Sequence, residues 1–80
     1  MEILRPLHAW AWGDSQAWAL EVIEILKEND ISIPGIREFR KKIDAGPLSC
    51  DDIDWLQNTA NELLDPHGVW LHPRHGLVCD

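Results

Sequence analysis

Eighty residues, 45% of them apolar and 26% charged, describe one small globular domain, too short for a second core and too apolar for wholesale disorder. No apolar run reaches the ~18 residues of a membrane span, and Glu2, Arg5 and Pro6 interrupt the N-terminal stretch, so we expect neither a membrane partner nor a signal peptide. A net charge of −7 repels phosphate backbones, which argues against direct nucleic-acid binding.

Met1–Leu4 is short and apolar, a candidate edge strand that Arg5-Pro6 terminates. The stretch from Pro6 to Trp12 admits two readings. A short helix would begin at Pro6 and close at Gly13. An extended segment is indicated instead by Leu7, Ala9 and Ala11 alternating with His8, Trp10 and Trp12. The first firm helix is predicted over Ser15–Glu28, with Asp14 or Ser15 as its cap. Trp18, Ala19, Val22, Ile23, Ile25 and Leu26 form its apolar stripe, with Glu21, Glu24 and Glu28 opposite. Ile31-Ser32-Ile33 must be extended ahead of Pro34. A second helix, Pro34–Asp44, turns Ile36, Phe39 and Ile43 inward and ends at Gly46-Pro47.

The third helix carries the clearest start signal. Ser49 is a good N-cap, Asp52 three residues on makes a near capping box, and Asp51 and Asp52 face the positive end of the dipole. Ile53, Leu56, Ala60, Leu63 and Leu64 form its buried stripe, and Asp65-Pro66-His67-Gly68 stops it. Val69–His72 and Leu77–Cys79 read as two short strands around a Pro73-Arg74-His75-Gly76 turn. His67-Gly68 and His75-Gly76 each set a glycine where a turn needs positive φ. The expected fold is α+β and mostly helical. Residues 1–80 form three main helices and a small C-terminal β-hairpin, which the N-terminal strand is placed to join.

Function is sought first among the tryptophans. Five of them, with one phenylalanine and no tyrosine, exceed what so small a domain can enclose, because it buries only ~60% of its unfolded surface. Some indoles are therefore expected at the surface, where Trp serves as a binding anchor. Trp55 is the sharpest case. At ~100° per residue it lies well over 100° from the buried stripe of its helix, among Asp51, Asn58 and Glu62. An indole ringed by carboxylates suits a surface lined with Lys or Arg. The competing reading packs Trp55 under the N-terminal arm or the hairpin. Trp18 is expected in the core, Trp10 and Trp12 are expected to split, one inward and one outward, and Trp70 can face either way.

Charge is distributed unevenly. Residues 1–42 carry seven acids and six bases, whereas residues 43–80 carry seven acids and Arg74 alone. Asp44, Asp51, Asp52, Asp54, Glu62 and Asp65 follow one another with no intervening base. Carboxylates spaced along a helix can imitate a phosphate strand and occupy a nucleic-acid-binding groove. In size and charge, though in no motif, the chain is similar to small phage-encoded inhibitors of host defence systems, and that resemblance implies an inhibitor that mimics nucleic-acid charge. A solvated helix face that only keeps the chain soluble is the plainer reading.

Arg37, Arg40, Lys41 and Lys42 form the only basic cluster, for which pairing with the first or third helix is expected over anion capture. His72, His75 and Cys79, with Cys50 or His67 as a fourth, supply donors that tetrahedral zinc accepts, but at the spacing of no standard zinc module. In the expected cytoplasmic setting both cysteines stay reduced. No G-x-S-x-G, P-loop, H-E-x-x-H or dinucleotide fingerprint is present, so neither catalysis nor a cofactor is expected. The sequence thus favours a non-enzymatic interaction protein. It would hold a basic surface of another protein through Trp55, Asp51, Asp52, Asn58, Glu62 and Trp12. Second comes a small zinc domain, and third a homodimeric module whose extra indoles are buried between copies.

Overall fold

The computed structural model describes residues 2–79. In chain order the elements are β1 (Glu2–Arg5), α1 (Ser15–Glu28), α2 (Ile36–Ala45), α3 (Cys50–Leu64), a 3₁₀ turn (Asp65–His67), β2 (Trp70–His72) and β3 (Gly76–Cys79). The three strands form one antiparallel sheet in the order β1-β3-β2. The fold is therefore α+β, and the N-terminal strand does join the hairpin. Of the Met1–Leu4 strand reading, Met1 lies outside the described residues. Among those described, no helix is long and apolar enough to cross a membrane.

Apolar periodicity places the helices. Trp18, Ala19, Val22, Ile25 and Leu26 of α1 are fully buried, and they meet Phe39 and Ile43 of α2 and Ile53, Leu56, Ala60 and Leu64 of α3. Ile23, Ile36 and Leu63 reach only the margin of this cluster, less deeply than their positions in the stripes suggest. α3 packs on α1 and on β2, so its one buried stripe joins the helices to the sheet. Cross-strand partners share a face. Leu71 and Leu77 point into the core, whereas Trp70 and Val78 share the opposite face of the sheet, where Trp70 is half-buried and Val78 is fully buried.

Polar groups of α1 tie down the loops. Asp14 Oδ1 caps the helix by accepting from Ala17 N at 3.1 Å. Ser15, the alternative cap, instead accepts from Leu48 N at 2.8 Å, and Gln16 Nε2 donates to the Ile43 carbonyl at 2.6 Å. Glu21, expected on the solvent side, folds back to accept from the amides of His8 (2.6 Å) and Ala9 (3.4 Å). That contact anchors the irregular stretch 6–10, with Leu7, Ala9 and Ala11 less exposed than their neighbours, and a turn at Trp10–Gly13 replaces the short helix. Trp10 and Trp12 do not split, because the turn buries Ala11 between them and leaves both indoles outward, 49% and 55% exposed.

α2 begins two residues later than Pro34, since Pro34-Gly35 forms a turn with Gly35 at φ +76°. Gly76, at φ +96°, is required twice over. A Cβ there would collide with the Arg5 carbonyl and stand 2.7 Å from Leu7 N, so the crossing of β1 over the hairpin depends on its absence.

Candidate functional site

α3 starts where Ser49 Oγ accepts from Asp52 N at 3.2 Å. The helix then turns its buried stripe toward α1 and β2. Geometry at 100° per residue leaves Asp51, Trp55, Asn58 and Glu62 on one outward stripe, spanning ~16 Å from Asp51 to Glu62. Trp55 is 41% exposed, and the residues that line the depression beside it come from α2, α3 and Gly35, not from the N-terminal arm or the hairpin. One face of its indole stacks on Phe39 of α2, with ring centroids 5.0 Å apart and planes 28° from parallel. Phe39 itself is buried, so the pair forms a shelf whose base is core and whose top is open. This partner was hidden in the sequence. Phe39 reads there as an ordinary core position, and only the packing of α2 against α3 brings the two rings together.

Around the shelf lies a shallow depression of about 350 Å³, lined by Phe39, Trp55, Asp51, Asp52, Glu38 and Lys42 among others. Lys42 Nζ bonds Asp52 Oδ1 at 3.1 Å, which holds the Asp52 carboxyl below its ordinary range, against a smaller opposing effect of burial and with further help from Ser49. Asp52 is therefore engaged within the chain, while Asp51 is exposed and has no ion-pair partner among the described residues. Glu38 is shared with Lys41 at a looser 3.9 Å. The basic cluster thus divides as the sequence suggested only for Lys42, which pairs with α3. Lys41 pairs within its own helix.

The remaining proposed residues are not gathered here. Asn58 and Glu62 line a second, flatter depression with Asn61 and Asp65, further along the same stripe. Trp12 stands on the turn before α1 and lines neither depression. Trp10 carries an interaction the sequence did not reveal, with the Arg74 guanidinium 5.2 Å from its ring centroid.

The histidine and cysteine candidates separate. His72 and His75 are close, their ring centroids 4.4 Å apart, yet His72 Nδ1 is occupied as the acceptor for the amides of Arg74 (3.1 Å) and His75 (3.2 Å). Cys79 lies at the other end of β3, with its Sγ 3.8 Å from Glu2, and Cys50 opens α3. Among the described residues no three of His, Cys, Asp and Glu cluster at metal-binding distance. The set His72, His75, Cys79 with Cys50 or His67 is therefore not assembled, because the hairpin puts the turn and the strand end apart.

Comparison with known protein families, with curated proteins and with solved structures returns no match.

Proposed function

We propose that this chain is a non-enzymatic interaction module that docks a basic surface of another protein onto the outward stripe of α3. One observation carries the reading: a large, half-exposed indole stacks on a buried ring, with an unpaired carboxylate beside it. A rigid aromatic loses little entropy on binding, and a Lys or Arg side chain laid on the open face of Trp55 gains cation–π attraction and the charge of Asp51. Exposed Asp54 and Glu62, on the same helix, extend the field that steers such a partner. Occupancy of a partner's nucleic-acid-binding groove by this carboxylate stripe is the inhibitory form of the same reading.

The test is parallel capture with the wild type, Trp55→Ala and Asp51→Asn, followed by affinity measurement on the protein identified. A true partner presents a basic surface, binds Trp55→Ala about thirtyfold more weakly, and weakens steeply as salt rises through the physiological range. Binding that ignores both the substitutions and the salt overturns the proposal.

A further inference from the structure

The chain holds seven Lys and Arg residues, and four of them are engaged internally. Arg5 pairs with Glu28, Lys41 with Glu38 and Lys42 with Asp52, while Arg74 lies over the Trp10 ring. The other three, Lys27, Arg37 and Arg40, have no ion-pair partner among the described residues. All three line a single groove of about 200 Å³ between the second half of α1 and the start of α2. Its floor is apolar, made by Ile23, Leu26, Ile31, Ile33 and Ile36. The groove continues into a shallower depression that shares Ile23, Lys27 and Arg40, and there it reaches Leu20, which is 43% exposed, and Glu24, the only carboxylate on either lining among the described residues.

In a chain with two acids for every base, three unpaired cations gathered over apolar floor form a surface of opposite sign to the α3 stripe. Its shape restricts what fits. The narrow part holds about 200 Å³, room for one or two side chains, and it opens into the adjoining depression rather than closing around a ligand. An apolar floor flanked by cations complements the apolar face of an amphipathic helix that carries carboxylates beside it, the arrangement of helix-in-groove recognition.

We infer that the α1–α2 groove is a second docking surface, and that its occupant is an acidic amphipathic helix of a partner protein. Leu- or Ile-type anchors of that helix fill the apolar floor, and its flanking carboxylates meet Lys27, Arg37 and Arg40. None of the residues of the α3 stripe takes part, so this surface stands or falls separately from the Trp55 reading. Together the two would make the chain a bridge between a basic and an acidic partner.

The probe is a fluorescein-labelled designed helix of about 16 residues, long enough to fold in water, with Leu at i, i+4, i+7 and Glu beside them. A matched peptide replaces each Glu by Lys. Fluorescence anisotropy on the wild-type chain should show saturable binding of the Glu peptide. The Lys peptide and the double variant Arg37→Glu/Arg40→Glu should each bind at least about tenfold more weakly. Thermal melts establish that the double variant folds, and Lys27→Glu, in the exposed last turn of α1, repeats the test on another element. Three results overturn the inference: no saturable binding of the Glu peptide, equal binding of the Glu and Lys peptides, or variants that bind like the wild type. Displacement of the peptide by dodecanoate at stoichiometric amounts would assign the groove to a small anionic amphiphile instead. A wild-type dimer in sedimentation velocity that the double variant abolishes would assign it to a second copy.

Discussion

Asn61 Oδ1 accepts the amide proton of Leu71 at 2.6 Å, and one helical turn earlier Gln57 Nε2 donates to the carbonyl of the same residue. β2 is an edge of the sheet, so the outward N–H and C=O of Leu71 have no strand to pair with. Two carboxamides at i and i+4 on α3 take the place of that strand and close the edge. Asn61→Leu leaves the part-buried Leu71 N–H without a partner. We expect a loss of about 1–3 kcal/mol in urea melts, against under ~0.5 kcal/mol for Asn58→Leu on the open stripe. Equal effects at 58 and 61 would mean that solvent, not Asn61, satisfies the edge.

Gly76 tests the crossing at the other edge. Its positive φ and the closeness of Arg5 and Leu7 leave no place for a methyl group. Gly76→Ala is expected to cost at least ~1–3 kcal/mol from backbone strain alone, with more from the clash. Gly68→Ala also sets a side chain at positive φ, +74°, but meets no atom within 4 Å, so it should cost less. Comparison of the two in one melt series separates strain from crowding. Gly76→Ala no worse than Gly68→Ala would place the N-terminal arm away from the hairpin.

These two relationships mark the boundary of what the sequence makes legible. The helices could be read because a 3.6-residue apolar period is a local signal, and Asp14, Ser49 and Gly68 act where capping and turn chemistry put them. The hairpin was legible from its Gly and Pro punctuation. Ser15, Gln16, Glu21, Gln57 and Asn61 were not, because each serves a backbone group far away in sequence, and nothing in its own neighbourhood distinguishes it from a solvated residue. The candidate site divides in the same way. The outward angle of Trp55 follows from helix geometry alone, whereas the Phe39 shelf and the engagement of Asp52 by Lys42 arise only when α2 meets α3. The outward placement of both Trp10 and Trp12 rests on the turn at residues 10–13, which buries Ala11 and leaves the indole on either side of it at the surface.

Acid should loosen the hairpin before it reaches the helices. Burial, then the nearby charges of His75 and Arg74, holds His72 below the ordinary histidine value. The unfolded chain therefore takes up this proton more readily than the folded one. The contribution is fully present above pH ~6.5 and is lost as pH falls through the lower folded value. Asp52 follows the same sign in a different window, because Lys42 depresses its carboxyl and its share is lost only below pH ~4. His72→Asn retains an acceptor for the amides of residues 74 and 75, as in an Asx turn, and cannot be protonated. As pH falls below ~6.5, its stability should decline less than that of the wild type. The same slope in both proteins would trace the decline to another group.

Trp55→Ala decides whether the α3 stripe is a surface or a piece of core. An exposed residue with no partner would cost under ~0.5 kcal/mol, and a fully buried indole ~3–5. With 41% of its surface open and one face on Phe39, Trp55 should fall between them, at about 1–2 kcal/mol, most of it from the ring pair. Trp55→Phe keeps the stack and should recover much of that loss. Acrylamide gives an independent reading. Trp10, Trp12 and Trp55 are the exposed indoles and Trp18 is sealed, so quenching should fall in part for Trp55→Phe and further in a variant that also lacks Trp10 and Trp12. A loss of 3 kcal/mol or more for Trp55→Ala (about the range for buried aromatics), with quenching unchanged in Trp55→Phe, would make this indole structural. The carboxylate stripe would then have no anchor at its centre, and charge alone could not give α3 the specificity that a docking surface requires.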